Sequence, residues 1–414
     1  MAGLMSLLSW SPTTELLSYA EQPSLFVDGR SHLLVESVAD DLLGERMSAA
    51  VRASLARDAS RTVTDAAAQR LNVEGGPARF QLASALFRAF GEGRMRLENV
   101  DGRRRGAGMQ IHASECAARW TDEGFRPGAG TDAYAAGWLG ASLEAALGRA
   151  PNSVEARQAH ALEAAGETVF FDLGKGDSST PRIFPSQSAL DRRARLSRSS
   201  QPGSLAQWLR AEMEAAADPE VGLSMFLGVP VTLKPMAYYA GLVATCRQAV
   251  KGSGLEATVD EAFTEAWRLG SLSLLHRLGR SSTWKSMLAA HGGNLGALEV
   301  VDEVYAAWGW GRFTIRPADN GVTLISDAPA EGLFSASMGF GHMSLMAAGL
   351  GQAVADASLL ERRGLRAEST EWRTWMAMPP AYDVRIVECA GDGGDRTVVE
   401  TVPAAESVGR LRRA

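Results

Sequence analysis

The sequence predicts an α+β protein of two tandem units, each with N-terminal helices followed by an antiparallel sheet and a glycine-rich helix. Three observations predict it. "ALFRAFGEGRMRL" at residues 85–97 recurs as "EVYAAWGWGRFTI" at 303–315, with Phe90 aligned on Trp308 and the two Gly-x-Gly-Arg cores superposed without a gap. The match continues loosely through "MRLENVDG" and "FTIRPADNG", "AGWLGASLEAAL" and "AGLGQAVADASLL", and "ETVFFDLG" and "YDVRIVECAG". A length of 414 residues also exceeds what one core ordinarily organises.

Each element has a local reason. Upstream, "DDLLGERMSAAVRASLARDASRTVTDAAAQRL" is rich in helix formers with apolar residues at helical spacing, which predicts one or two long helices. In "ARFQLASALFRAF", Phe80, Ala83, Leu86, Phe87 and Phe90 recur at three- and four-residue intervals, and Gly91 (Gly309 in the second copy) stops the helix just past its C-cap. Beyond it Met95 and Leu97 alternate with Arg94, Arg96 and Glu98, as in a strand with one wet face. "VDG" and "ADNG" read as hairpin turns. The returning strands are "GMQIHASECAARW" and "VTLISDAPAEGLF". Each leads to a helix whose small residues, such as Gly137, Gly140 and Ala141, permit close approach to a sheet; closing strands are expected near 166–173 and 381–389.

These elements divide the chain into a first unit with its helical segment at 1–174, a linker at 175–205, a second and divergent unit at 206–402, and a tail at 403–414. The linker is rich in Ser and Pro, with Arg192, Arg193, Arg195 and Arg198 clustered, and reads as a solvated connection. The tail "VGRLRRA" reads as similarly loose.

Composition narrows the function. The chain is 46% hydrophobic and 22% charged with a formal charge of −6, which argues against direct nucleic-acid binding. Its three cysteines, Cys116, Cys246 and Cys389, are far apart, so neither a disulfide framework nor a Cys-x-x-Cys metal site is expected, and a reducing cytoplasm fits. The N-terminus lacks the basic region of a signal peptide. The uncharged stretch 334–355 is long enough to cross a bilayer, but Gly, Ser, His and Gln dilute it, so no membrane span is expected.

The order of elements, together with "LLVESVADDLLGERMSAAVRASLARDASRTV" and "TDAYAAGWLGASLEAALGRAP", resembles the 4-vinyl-reductase (4VR) domain family, whose fold is shared by subunits of the TRAPP tethering complex. The first half is similar to the sensor region of bacterial phenol- and xylene-responsive transcription activators. The resemblance covers most of 25–174 and, more weakly, 219–390. It implies a tandem 4VR/TRAPP-like fold and a cysteine-held structural zinc. The corresponding stretches "TDAYAAGW" and "EARQAHALEAAGET" contain no cysteine, and Asp132 with His160 would supply two ligands at most, so no metal is expected. The activators' phenol-contacting histidine and tryptophan are likewise missing from "RFQLAS" and "MQIHAS". The activators' phosphate loop has no counterpart, because "GKGDSS" has the wrong spacing.

No catalytic motif is present: HExxH, GxSxG and a complete GxGxxG are all absent, and "GFGHMS" lacks the third glycine and the βαβ setting. No catalytic residue and no cofactor is therefore expected. Candidate ligand contacts are His112 and Trp120 in the returning strand of the first half, Trp308 and Trp310 flanking Gly309, His342 at the start of the second glycine-rich helix, and Trp372 in "ESTEWRTWMAMPP". Aromatic rings and methionines make good apolar walls, and they are equally ordinary core. His276 and His291 read as surface or satisfied residues.

The expected function is a non-enzymatic sensor or regulatory protein that binds a small hydrophobic molecule. One alternative is a TRAPP-like interaction scaffold docking a small GTPase or a second copy of itself. The other is an accessory to tetrapyrrole vinyl reduction, which the family name alone implies. Duplication further suggests that the two units pack as a pseudo-dimer. Trp310 stands where the first copy has Glu92, which suggests that the halves no longer share one job.

Overall fold

The structure is a computed structural model. It describes residues 4, 6–10, 17–96, 110–111, 132–158, 169–175, 208–212, 217–218, 222–290, 303–311, 313–318, 321–326, 342–366, 369–371, 374, 377, 379–389, 396–404 and 411–413. The architecture is α+β, with helices packed on sheets that are antiparallel except for one C-terminal strand.

The element order repeats. Strands β1 (Leu8–Trp10), β2 (Leu17–Tyr19) and β3 (Gln22–Asp28) lead into helices α1 (Gly29–Leu43), α2 (Glu45–Leu71) and α3 (Gly76–Ala89). Short strands β4 (Met95–Arg96) and β5 (Gln110–Ile111) precede α4 (Ala133–Leu147), β6 (Val154–Gln158) and β7 (Val169–Lys175). The second half begins with β8 (Ala217–Asp218), β9 (Leu223–Phe226) and β10 (Val229–Pro235), followed by α5 (Met236–Ala249), α6 (Glu256–Arg280) and α7 (Ser282–Ala290). Helical residues 303–307, strands β11 (Thr314–Ala318) and β12 (Gly321–Ser326), α8 (His342–Arg362), β13 (Tyr382–Glu388), β14 (Thr397–Pro403) and β15 (Leu411–Arg413) complete it.

Local chemistry sets the helix ends. Asp28 caps α1 by accepting the backbone N–H groups of Arg30 and Ser31, and Asp132 caps α4 by accepting that of Ala135. Gly44 at φ 76° separates α1 from α2, and α2 ends on Asn72 in the left-handed region.

The two halves meet in one six-stranded sheet ordered β1-β2-β3-β10-β9-β8. At its centre β3 and β10 pair antiparallel with Phe26 opposite Leu233. The ladder is self-complementary about that pair: Asp28 opposite Val231 is answered by Ser24 opposite Pro235, and Val27 opposite Thr232 by Leu25 opposite Lys234. This is the pattern of a two-fold interface, here within one chain. The matched halves also exchange contacts across it. Leu233 N–H donates to Phe90 O and Phe26 N–H donates to Trp308 O, both at 2.9 Å. Tyr19 packs edge-on against Phe90, and its counterpart Phe226 packs edge-on against Trp308.

The repeated Gly-x-Gly-Arg phrase is the latch in this exchange. Gly91 and Gly309 have φ of +79° and +83°, and each presses on the opposite half's hairpin. A Cβ on Gly91 would lie 2.7 Å from Val231 O, and one on Gly309 would lie 2.1 Å from Leu17 Cβ. Glycine is required there both for the backbone angle and for the contact.

Three expectations need correction. The small-residue face of α4 meets a helix rather than chiefly a sheet, since a Cβ on Gly137 would lie 1.9 Å from Ala53 O in α2. The second half repeats this with Gly349 of α8 against Thr264 O of α6. The closing strands also correspond differently. Topology matches β6 with β13, each following its glycine-rich helix, and β7 with β14, so "ETVFFDLG" answers β14 rather than "YDVRIVECAG". Finally, residues 411–413 of the tail form β15, which adds parallel to β13 in the five-stranded sheet β11-β12-β14-β13-β15. An edge strand offers unpaired backbone groups that even a short polar segment can satisfy.

Strands β11 and β12 pair antiparallel on either side of residues 319–320, with Ala318 opposite Gly321. β4 and β5 pair as their counterparts, while the "VDG" turn and residues 176–207 lie outside the described residues. No described helix is long and apolar enough to cross a membrane.

Candidate functional site

A buried polar cluster lies where the halves join. His32 and Tyr239 occupy matched positions on α1 and α5, and they meet with His32 Nδ1 2.9 Å from Tyr239 Oη. His32 Nε2 lies 3.3 Å from Glu36 Oε1, one helical turn on. Burial drives His32 down to about 3, so its ring is neutral. Tyr239 donating to Nδ1, with Nε2–H facing Glu36, satisfies both nitrogens.

Glu36 remains ionised. Burial opposes its charge, but the Arg52 guanidinium and the hydroxyl of Tyr238 outweigh that and hold it below the usual carboxylate range. Arg52 Nη1 donates to Glu36 Oε2 at 2.8 Å while Nη2 donates to Asp40 at 2.8 Å, so one guanidinium on α2 bridges two carboxylates of α1.

Beside it sits a second group formed by the first latch. Lys234, fully buried on β10, places Nζ 2.6 Å from Glu92 Oε1. The same ammonium stands 3.3 Å from the ring centroid of Tyr134 on α4, a cation–π contact. Burial pushes the Glu92 carboxyl up to about 7, with Lys234 opposing the rise. Burial likewise raises Asp132, opposed by the Ala135 N–H and Lys234. Tyr134 Oη is buried and has no hydrogen-bond partner among the described residues. Tyr134 packs on Trp138, which also meets Phe87 and Phe90, so the polar group has an aromatic floor.

The matched place in the second half is different. There Trp310 replaces Glu92, and Val27, fully buried on β3, replaces Lys234. Trp310 packs edge-on against Tyr305 and Trp267 with centroids 4.3 and 5.3 Å away, and its indole N–H donates to Phe26 O at 2.9 Å. Trp308 is also buried, against Phe226 and Tyr305. Both tryptophans read from the sequence as wall residues are thus packed as core.

His112, Trp120 and Trp372 lie outside the described residues, and His342 begins α8 with its side chain outside them too. His276 is an interior residue whose Nε2 lies 2.8 Å from Thr370 O. His291 lies outside the described residues. The zinc implied by the 4VR resemblance is not a fit for the residues present: Asp132 is engaged in capping α4, and no group of three metal-binding side chains occurs among the described residues.

No family model, curated protein or solved structure matches this chain. The 4VR resemblance therefore rests on the quoted motifs and the order of elements.

Sequence reasoning missed His32, Glu36, Lys234 and Tyr134. A signal existed for one of them: "VTLKPM" places a lysine in an otherwise apolar strand, where Glu92 in the opposite latch offers the matching charge.

Proposed function

We propose that this chain is a regulatory protein that senses a small molecule without transforming it, through one site at the junction of the two halves built on Glu92, Lys234 and Tyr134. The contrast between the two latches carries this reading. The fold tolerates an apolar filling at that position, as Trp310 and Val27 illustrate. A buried ion pair there brings a desolvation penalty of about several kcal/mol per ion, which packing alone does not require. Departures of this kind concentrate at functional sites.

The chemistry favours a small aromatic or hydrophobic molecule with one polar group. Tyr134, Trp138 and Tyr238 supply ring faces, while Lys234, Glu92 and the Tyr134 hydroxyl supply directional polarity. The tandem 4VR-like assignment is consistent with such sensing and belongs to the same proposal. A scaffold reading has one observation in its favour, the fully packed aromatic interior of the second half. Under the sensing account that half supports the first.

A thermal-unfolding screen with phenols and aromatic acids in large excess tests the proposal. A ligand near a hundredfold over its Kd adds about 2.7 kcal/mol of stability, and Tm rises accordingly. The rise is expected to vanish in Lys234→Met and to weaken in Tyr134→Phe. No shift with any such compound would overturn the reading.

A further inference from the structure

A second cluster is cationic and lies between α1 and α6. Arg30, in the first turn of α1, is 1% exposed and donates from Nη1 to Ser273 Oγ at 2.9 Å. Ser273 and Arg277 are one turn apart on α6 and share a face, with His276 beside them. Arg277 Nη1 is buried and has no hydrogen-bond partner among the described residues. The one carboxylate described as acting on both arginines is Asp28, and it is engaged in capping α1 through Arg30 N, Ser31 N and Ser31 Oγ.

The electrostatics agree with this geometry. Arg30 is brought down to about 10, first by burial and then by the like charge of Arg277. Arg277 is lowered by burial, with Asp28 opposing. His276 is lowered by burial and by Arg280, Arg30 and Arg277, against its hydrogen bond to Thr370. Arg30 thus feels the charge of Arg277, and two guanidinium groups that act on one another attract an anion where water is scarce. The fold itself does not require them, because the matched positions hold Ala237, Thr62 and Ala66.

We propose that Arg30, Ser273 and Arg277 form a binding site for the oxyanion group, carboxylate or phosphate, of a small molecule. The guanidinium of Arg277 forms the principal contact, Arg30 contributes the second charge, and the Ser273 hydroxyl orients the anion. This site is separate from the one centred on Lys234, so either can fail without the other.

The test is titration calorimetry and thermal unfolding of the full chain in chloride-matched buffer, with inorganic phosphate and with acetate in separate arms. Wild type is expected to show saturable binding and a rise in Tm with one of them. Concentrations stay below those at which excluded salts stabilise proteins generally. The arm that responds identifies the oxyanion. Arg277→Gln is expected to lose at least about tenfold in affinity and Arg277→Lys to retain part of it. In buffer without phosphate or acetate Arg277→Gln is expected to melt no lower than wild type, since it removes a half-buried cation whose buried Nη1 has no hydrogen-bond partner among the described residues. Ser273→Ala supplies an independent check and is expected to weaken binding, with a fall in Tm because Arg30 Nη1 loses its acceptor. The inference is overturned if neither anion binds wild type, if Arg277→Gln and Ser273→Ala bind as wild type does, or if Arg277→Gln fails to fold without anion.

Discussion

Glu92 is the residue at which the two copies of the repeated phrase part company, and it sets a pH dependence. Its folded carboxyl is raised from 4.5 to about 7 by burial. A carboxyl raised by folding binds its proton more tightly in the native state, so its contribution is present in full below pH 4.5 and is lost as pH rises through 7. The loss is on the order of 3 kcal/mol, from about 1.4 kcal/mol per pKa unit. Chemical denaturation at about pH 5 and about pH 8 should therefore show wild type weakening more than Glu92→Gln. An equal change in both proteins would mean that Glu92 is ionised throughout. In the sequence Glu92 was visible as a difference from Trp310, but its partner was not. Lys234 lies in a strand far along the chain, and nothing local tells an inward lysine from one on a wet face.

At the scale of elements, the latch joins a helix end in one half to a hairpin in the other. Gly309→Ala places a methyl 2.1 Å from Leu17 Cβ at a φ of +83°. Strain of about 1–3 kcal/mol at a left-handed position adds to overpacking of about 1–3 kcal/mol. Urea denaturation should show Gly309→Ala destabilised by about 2–5 kcal/mol, and Gly91→Ala, which meets a backbone oxygen, similarly. The sequence disclosed the helix stop and the strand that follows it, because those depend on neighbouring residues. It did not disclose what the glycines touch, since that depends on residues in the opposite half. The same limit explains why the small residues of α4 were assigned to a sheet. Spacing reveals that a face is narrow but does not identify its neighbour. It also explains the missed paired bridges. Glu144 on α4 receives Arg61 of α2, and Asp356 on α8 receives Arg268 of α6 at 2.7 Å, yet the partners lie 83 and 88 residues apart in sequence.

For the whole molecule, the self-complementary β3–β10 ladder means that each half completes the other. The repeat is ground for expecting a pseudo-dimer, while the register and the crossing of the latches depend on pairing between hairpins from opposite halves. One hydrophobic cluster contains residues from both halves, including Phe26, Phe90, Leu233 and Trp308. His32 reaches Tyr239 across the junction, and Glu92 reaches Lys234 across it, so the proposed sensing site exists only in the joined molecule. A ligand held there would bear on both halves together, giving a regulatory protein a route from binding to shape. Differential scanning calorimetry of the full chain tests this mutual dependence most directly. The account predicts one transition in which the calorimetric and van't Hoff enthalpies agree, shifted as a whole in Gly309→Ala. Two separate transitions, with Gly309→Ala moving only one of them, would contradict it.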